Sequence, residues 1–427
     1  MKRLYRHGHI ASEDSAQLQR ADLLVEGGKI TGVGPDLGKV DGAEVIDCTG
    51  CVLLPSLFDI HVHAREPGRE DKEDIRSCSE AAINGGVTGM VLQPNTLPAI
   101  DTGAAVQTVL DLAREKSRIA PSIFTTGAIT KGRKGEELAG IAGMKSRGVA
   151  YLTDDGDPVA NPQVLRRAME YAKQFDLFLA SHCEVKELSG KGSMHEGSVS
   201  YALGLQGIPA ISEEICIARD IRIAEYTGVH LHIQHVSTAR GMETIHRAKE
   251  RGIKVTCEVA PHHLMFHHEH IGNYDTHYKM NPPLRTPEDN AALLQGLKDG
   301  WFDIIATDHA PHTEFEKNQD FSSAPFGITG LETALVSLYD RYISKGIFGW
   351  NLLVKRYCAE PRRLMKLETT PLRQGATAEF IVFNPQRTTT FSREFMKSKS
   401  INTPFLDQTL QGMVQRVNYR GEELLAR

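Results

Sequence analysis

The residues best suited to chemistry sit where apolar runs end. Asp59-Ile60-His61-Val62-His63-Ala64-Arg65-Glu66-Pro67-Gly68 follows the apolar run Val52-Leu53-Leu54-Pro55 and closes on a Pro-Gly turn. That pattern predicts a buried strand stopping at a loop. Side chains alternate along a strand, so His61 and His63 point the same way. Two imidazoles side by side at a strand end can hold a divalent metal. Arg65 falls on the same face one step further out, where a guanidinium can grip a carboxylate bidentately. A single His-x-His is a weak motif, so its weight depends on what else reaches the same place.

The elements that would position these residues alternate in type. Helices over 71–84, 103–116, 135–146, 162–174, 211–227, 239–251 and 287–299 lead to strands over 87–95, 122–128, 149–156, 177–184, 229–237, 254–260 and 302–309. With the His-x-His strand that makes eight strands alternating with helices. The fold class predicted is α/β, a (β/α)8 TIM barrel over 55–366. Residues 1–54 read as short strands, with a hairpin around Gly27-Gly28 and a strand at Glu44-Val45-Ile46-Asp47. From 367 the helical rhythm ends, and strands are expected at 378–384 and 414–419. Segments 1–54 and 367–427 are paired by inference as one small β domain.

The bulk properties bound the partners. The 427 residues are 41% hydrophobic and 24% charged, ordinary for a soluble globular protein. A formal charge of -5 gives no electrostatic case for nucleic acid or an anionic membrane. No apolar run reaches the roughly 20 residues of a membrane span. The start, Met1-Lys2-Arg3-Leu4-Tyr5-Arg6-His7-Gly8, has no apolar core behind it, so no signal peptide is expected. Seven scattered cysteines point to a reducing cytoplasm. Cys48-Thr49-Gly50-Cys51 has no second CxxC and reads as core or turn cysteines.

In an eight-fold barrel, chemistry gathers at the C-terminal strand ends. There the chain offers His61, His63, Arg65, Asn95, Asp154, Asp155, His182, His235 and Asp308. Four histidines with two or three carboxylates suit a pair of divalent metals about 3.5 to 4 Å apart, bridged by a carboxylate. Mixed imidazole and carboxylate ligation favours zinc, with manganese or cobalt as rivals. Taken singly, His182 and His235 suit core positions, Asp154 and Asp155 a turn before Gly156, and Asp308 a helix cap. Spacing does not choose between Asp154 and Asp155. His230 and His232 read as packing or rim residues, and His262 and His263 follow strand seven. His267, His268 and His270 read as a solvated surface, as does the basic loop Lys131 to Lys134.

Together these stretches resemble the amidohydrolase superfamily, and within it the type I dihydroorotases. The motifs are Asp59 to Gly68, Pro94-Asn95-Thr96, Thr153-Asp154-Asp155-Gly156, Ser181-His182-Cys183-Glu184, His235-Val236-Ser237-Thr238, Lys279 to Arg285, Ala306 to His312 and Ala324 to Thr333, with Lys399 to Phe405 matching the tail. The resemblance implies one zinc on His61, His63 and Asp308, a second on His182 and His235, and Asp155 as the bridge. It implies Arg65, Asn95 and His312 on a substrate carboxylate. Asn281 and the Pro325-Phe326-Gly327 backbone would touch the ring, and segment 310–327 would cover it. Departures are Ala64 where the family has Leu, Gln93 for Met and Ser56 for Gly. Strand four carries no lysine, Lys145 lying before it, so no carboxylated lysine is expected. The activity implied is the reversible cyclisation of N-carbamoyl-L-aspartate to L-dihydroorotate in pyrimidine synthesis, with Asp308 as base then acid. Implied partners are the small-molecule substrate, a second copy in a homodimer, and aspartate transcarbamoylase. Two rivals stay open: another cyclic amidase, and a catalytically silent structural homologue.

Overall fold

The computed structural model describes residues 2–427; Met1, within the predicted N-terminal segment, lies outside the described residues. The alternation of apolar runs and helices yields parallel pairing. One three-stranded sheet joins Leu57–Val62, Val87–Leu92 and Ile123–Thr125, and a four-stranded sheet joins Leu179–Ser181, Leu231–Ile233, Val255–Val259 and Ile304–Ile305. Parallel bridges connect the two at both ends. Gly127 pairs Leu152 and Leu152 pairs Leu179 on one side, and Val62 pairs His309 on the other. The pairings therefore return to where they began, which leaves this sheet no free edge.

The predicted strand 149–156 keeps ladder bonds only from Ala150, which donates to the Thr125 carbonyl (2.8 Å), to Thr153, which donates to that of Gly127 (2.9 Å). The cause is Asp154, whose carboxylate takes the backbone N–H groups of Ile129 (2.7 Å) and Thr130 (3.1 Å) that a longer ladder would use. Helices 103–116 and 211–227 form with the expected bounds, and the helix expected from 71 starts at Ile75. Asp74 caps it in a box with Ser77, so residues 69–73 are left as turns facing the strand ends. The helix expected over 135–146 is confined to Ile141–Ser146, because Thr130 and Leu138 pair antiparallel and hold the preceding residues in a loop.

A second sheet gathers both ends of the chain. Its order is Glu422–Ala426, Thr409–Tyr419, Glu379–Thr390, Val52–Pro55, Lys2–Ile10, Gln19–Glu26, Lys29–Gly34, with Glu44–Asp47 beside Lys2–Ile10. Val52–Pro55 is the connecting strand: it pairs His9 and Ile10 on one side and Phe380 to Phe383 on the other, and runs directly into Leu57–Val62. The hairpin at Gly27-Gly28 forms as expected, both glycines in the left-handed region (φ 58° and 77°). Tyr5 and Phe380 meet edge-on at 4.9 Å in this sheet's own core.

One surface expectation is corrected. His268 is buried, and His270 packs 5.5 Å from Phe266 and 5.8 Å from Tyr278. A short helical turn, His268–Ile271, folds these rings inward instead of presenting them to water. Among the described residues no helix is long and apolar enough to cross a membrane.

The packing of the first helix generates a test. A Cβ on Gly85 would sit 2.0 Å from the carbonyl oxygen of Leu331. In an exposed helix Gly→Ala stabilises by about 1 kcal/mol, but backbone cannot yield as a side chain can. Gly85→Ala is therefore expected to lower the apparent Tm, read by scanning calorimetry; an equal or higher Tm contradicts this packing.

Candidate active site

His61 and His63 leave the end of strand Leu57–Val62 and face two carboxylates. His61 Nε2 lies 3.4 Å from Asp155 Oδ1 and 3.5 Å from Asp308 Oδ1. His63 Nε2 lies 3.4 Å from Asp155 Oδ2 and 3.0 Å from Asp308 Oδ1. Across the site, His182 Nδ1 is 2.9 Å from His235 Nε2, and each is 3.8 Å from Asp155 Oδ1. Two ligand-type groups result, His61-His63-Asp155 and Asp155-His182-His235, with Asp155 in both and all members buried. Asp154, held by Ile129 and Thr130, is turned away.

Hydrogen bonding behind the rings decides where their lone pairs point. His61 Nδ1 lies 2.6 Å from Glu258 Oε1, so Nδ1–H donates to that carboxylate and Nε2 presents its lone pair to the site. His63 Nδ1 lies 2.8 Å from Asn95 Oδ1, with the same consequence. His182 Nε2 faces Glu184 Oε2 at 3.4 Å, leaving Nδ1 for the centre. His61 Nε2 and Asp155 Oδ1 are buried without any hydrogen-bond partner. Buried acceptors converging without donors fit a divalent cation and little else.

Against the effect of burial, the same carboxylates, Glu258, Asp155 and Asp308, raise the pKa of His61 well above its ordinary value, so positive charge is favoured at this point, whether a proton or a metal supplies it. Burial opposes ionisation of Asp155 and Asp308, yet His61 and its neighbours hold both carboxyls below the usual range. Burial likewise opposes ionisation of Glu258, but His61 and His232 bring it down to about 2. Glu258 was not singled out in the sequence. It grips His61 and His232 (3.1 Å) and accepts the backbone N–H of His235. The available signal was an acid inside the apolar strand Val255–Val259. Asp59 carries the same signal and accepts from the amides of His61 and Thr307 and from the Tyr357 hydroxyl. Glu184 was also missed as a site residue, while for His262 and His263, which follow strand seven, the sequence leaves a supporting role behind the ligands open. His262 is fully buried with a bare Nε2, and burial with His263 beside it holds it neutral.

Three site residues carry left-handed backbone: Arg65 (φ 60°), His235 (φ 29°) and Asp308 (φ 48°). Such conformations cost roughly 1–3 kcal/mol each and persist where surroundings over-determine them. Arg65 is placed by this turn, after the strand has ended at Val62, and not by strand alternation. Its Nε donates to the Pro311 carbonyl (3.1 Å) and its terminal nitrogen lies 3.3 Å from His312 Nε2. Burial lowers its pKa to about 10. Among the described residues no carboxylate pairs with it. Asn95 presents its amide beside His63. Asn281 donates to Glu184 Oε2 (3.1 Å) and lies 3.4 Å from His182 Nε2, on the opposite flank. Pro325 and Phe326 are half-buried on the segment that follows His312; Lys279 Nζ lies 4.6 Å over the Phe326 ring. Gly327 (φ 152°) passes so close to Ala310 that a Cβ would meet its carbonyl oxygen at 2.6 Å.

Solved structures share this architecture. The L-hydantoinase (dihydropyrimidinase) from Arthrobacter aurescens superposes with a TM-score of 0.86 over 100% of this chain and 96% of its own, at 23% identity. The dihydropyrimidinase from Brevibacillus agri gives 0.84 over 100% and 95%, also at 23% identity. The chain thus has the fold of the hydantoinases and dihydropyrimidinases. A family model described as Dihydro-orotase-like matches residues 50–241. The dihydroorotase of Caldanaerobacter subterraneus is 43% identical over 95% of this chain and 93% of its own length, and that of Carboxydothermus hydrogenoformans 42% identical over 99% and 97%. With such likeness along almost its whole length, the chain belongs to the dihydroorotase family.

The Glu258 contacts can be tested directly. Glu258→Gln is expected to weaken divalent-metal affinity roughly 10- to 100-fold, measured by competition with a chromogenic chelator. Unchanged affinity would remove Glu258 from the support of the site.

Proposed function

We propose that the chain catalyses the reversible cyclisation of N-carbamoyl-L-aspartate to L-dihydroorotate, with two zinc ions held by His61, His63 and Asp308 and by His182 and His235, Asp155 bridging. The closed parallel circuit is read as a (β/α)8 barrel over 55–366, and the mixed sheet as a small β domain of 1–54 and 367–427. The seven free, buried cysteines suit the cytoplasm. The observation that carries the reading is the half-buried Arg65, without an acid partner among the described residues, beside the His-Asp cluster. A carboxylate-bearing ring fills that position; an uncharged ring leaves the guanidinium unpaired.

Arg65, Asn95 and His312 hold the ring carboxylate, and Asn281 with the 325–327 backbone holds the ring, so that the scissile amide faces Asp155 and Asp308. The zinc ions supply Lewis-acid polarisation of the ring carbonyl and acidify the attacking water. In ring opening the water oxygen bonds to the carbonyl carbon and the carbon–nitrogen bond breaks. Asp308, kept ionised by the neighbouring imidazoles, takes the water proton and passes it to the leaving ring nitrogen. In ring closure the same groups act in reverse.

Asp308→Ala is expected to lower kcat for L-dihydroorotate opening by about 100-fold or more while part of the zinc stays bound, measured by absorbance and metal analysis. An active variant would refute the proton transfer. Arg65→Met is expected to raise KM roughly 30-fold or more, the cost of truncating one partner of a buried charge pair. Unchanged saturation would take Arg65 out of the carboxylate site.

A further inference from the structure

Lys72 lies in the run Glu70-Asp71-Lys72-Glu73-Asp74, which has the look of a solvated helix start. The structure turns it inward instead, to 6% exposure. Its Nζ lies 3.0 Å from His312 Nδ1 and 2.8 Å from Glu316 Oε1. We propose that Lys72 is a positioning residue for substrate: it fixes His312 in the Nε2–H form, so that His312 and Arg65 offer two donors to one carboxylate. This rests on the functional reading above and deepens it.

An ammonium group has donors and no acceptor. Lys72 at Nδ1 and Arg65 at Nε2 both have only donors to offer, and a neutral ring is bare at one nitrogen only; the shorter Lys72 contact decides for a bare Nδ1 and a proton on Nε2. On that side stands Arg65, 3.3 Å away, also with donors only. Two donors face each other with no acceptor between them. The acceptor has to come from outside, and a carboxylate with two oxygens satisfies both.

The alternative has Nδ1–H donating to Glu316 Oε2, which lies 3.5 Å away. It would set a ring N–H against the closer ammonium at 3.0 Å, so geometry disfavours it. An imidazolium is disfavoured too: burial, Arg65 and Lys72 together lower the His312 pKa to about 2. Glu316 balances the Lys72 charge and is itself anchored by Arg69 (3.0 Å) and Thr313.

The C-terminal tail holds both partners in register. Ser400 Oγ donates to the Lys72 carbonyl (2.7 Å), and the His312 backbone N–H donates to Asn402 Oδ1 (3.0 Å). Lys72 and His312 are far apart in sequence, and this clamp removes the freedom that would let the pair drift.

The test uses the full-length, zinc-loaded protein with 15N-labelled histidine, the His312 ring assigned by difference against His312→Asn. Without substrate, the expected wild-type ring has Nδ1 bare and Nε2 protonated. Lys72→Met is expected to redistribute the tautomers and to raise KM for L-dihydroorotate about tenfold or more, with a much smaller fall in kcat. Lys72→Gln keeps a donor without the charge and is expected to restore the wild-type tautomer and part of the KM. A wild-type ring protonated on Nδ1, or an unchanged KM in folded Lys72→Met, overturns the proposal. If Lys72→Met does not fold, the wild-type tautomer alone decides. If the wild-type protein does not open dihydroorotate, the functional reading fails, and the tautomer still judges Lys72 separately.

Discussion

The constraint on which the rest depends is the burial of Asp155 among imidazoles. His61, His63, His182 and His235 all approach its two oxygens within 3.4 to 3.8 Å. Lone pairs and an anion packed together away from water are costly unless a cation sits among them. Three of the rings are turned by a partner behind them: Glu258 for His61, Asn95 for His63, Glu184 for His182. Glu258 and Glu184 are buried as well and Asn95 is half-buried, so the stability of the site and its chemistry rest on one network.

The fold serves that network in two ways. Parallel strands end together, which brings residues distant in sequence to one rim. The mixed sheet then continues into the first of those strands through Val52–Pro55, tying the chain ends to the His-x-His segment. The C-terminal tail works on the opposite flank. Asn402 Nδ2 donates to the carbonyls of Ala310 and Gly327 (3.1 Å each), and Ser398 contacts Glu73. The loop carrying His312 is thus fixed from outside the parallel circuit.

Helices with strong apolar periodicity and clear stops were legible in the sequence. Helices 103–116 and 211–227 have the bounds their pattern predicts, and Gly86 ends the first helix in a left-handed cap as expected of Gly-Gly. Strand lengths were less legible, because side chains such as Asp154 divert backbone donors from the ladder. In the site, the placing of Asp155 over Asp154 came from motif resemblance, since adjacent carboxylates before a glycine look alike to spacing. The left-handed turn at Arg65 was invisible, because a non-glycine residue carries no local mark of it. The acids behind the rings were overlooked for a different reason. Glu258 is an acid in a mainly apolar strand, and its meaning appears only when it meets His61 from 197 positions away.

The most direct measurement is the rate of ring opening by the zinc-loaded protein with L-dihydroorotate and 5,6-dihydrouracil in parallel. The two rings differ in the carboxylate proposed to pair with Arg65. The account predicts rapid opening of dihydroorotate and little or none of dihydrouracil. Opening of dihydrouracil with dihydroorotate untouched would contradict it, because the Arg65 guanidinium would then have no carboxylate to bind.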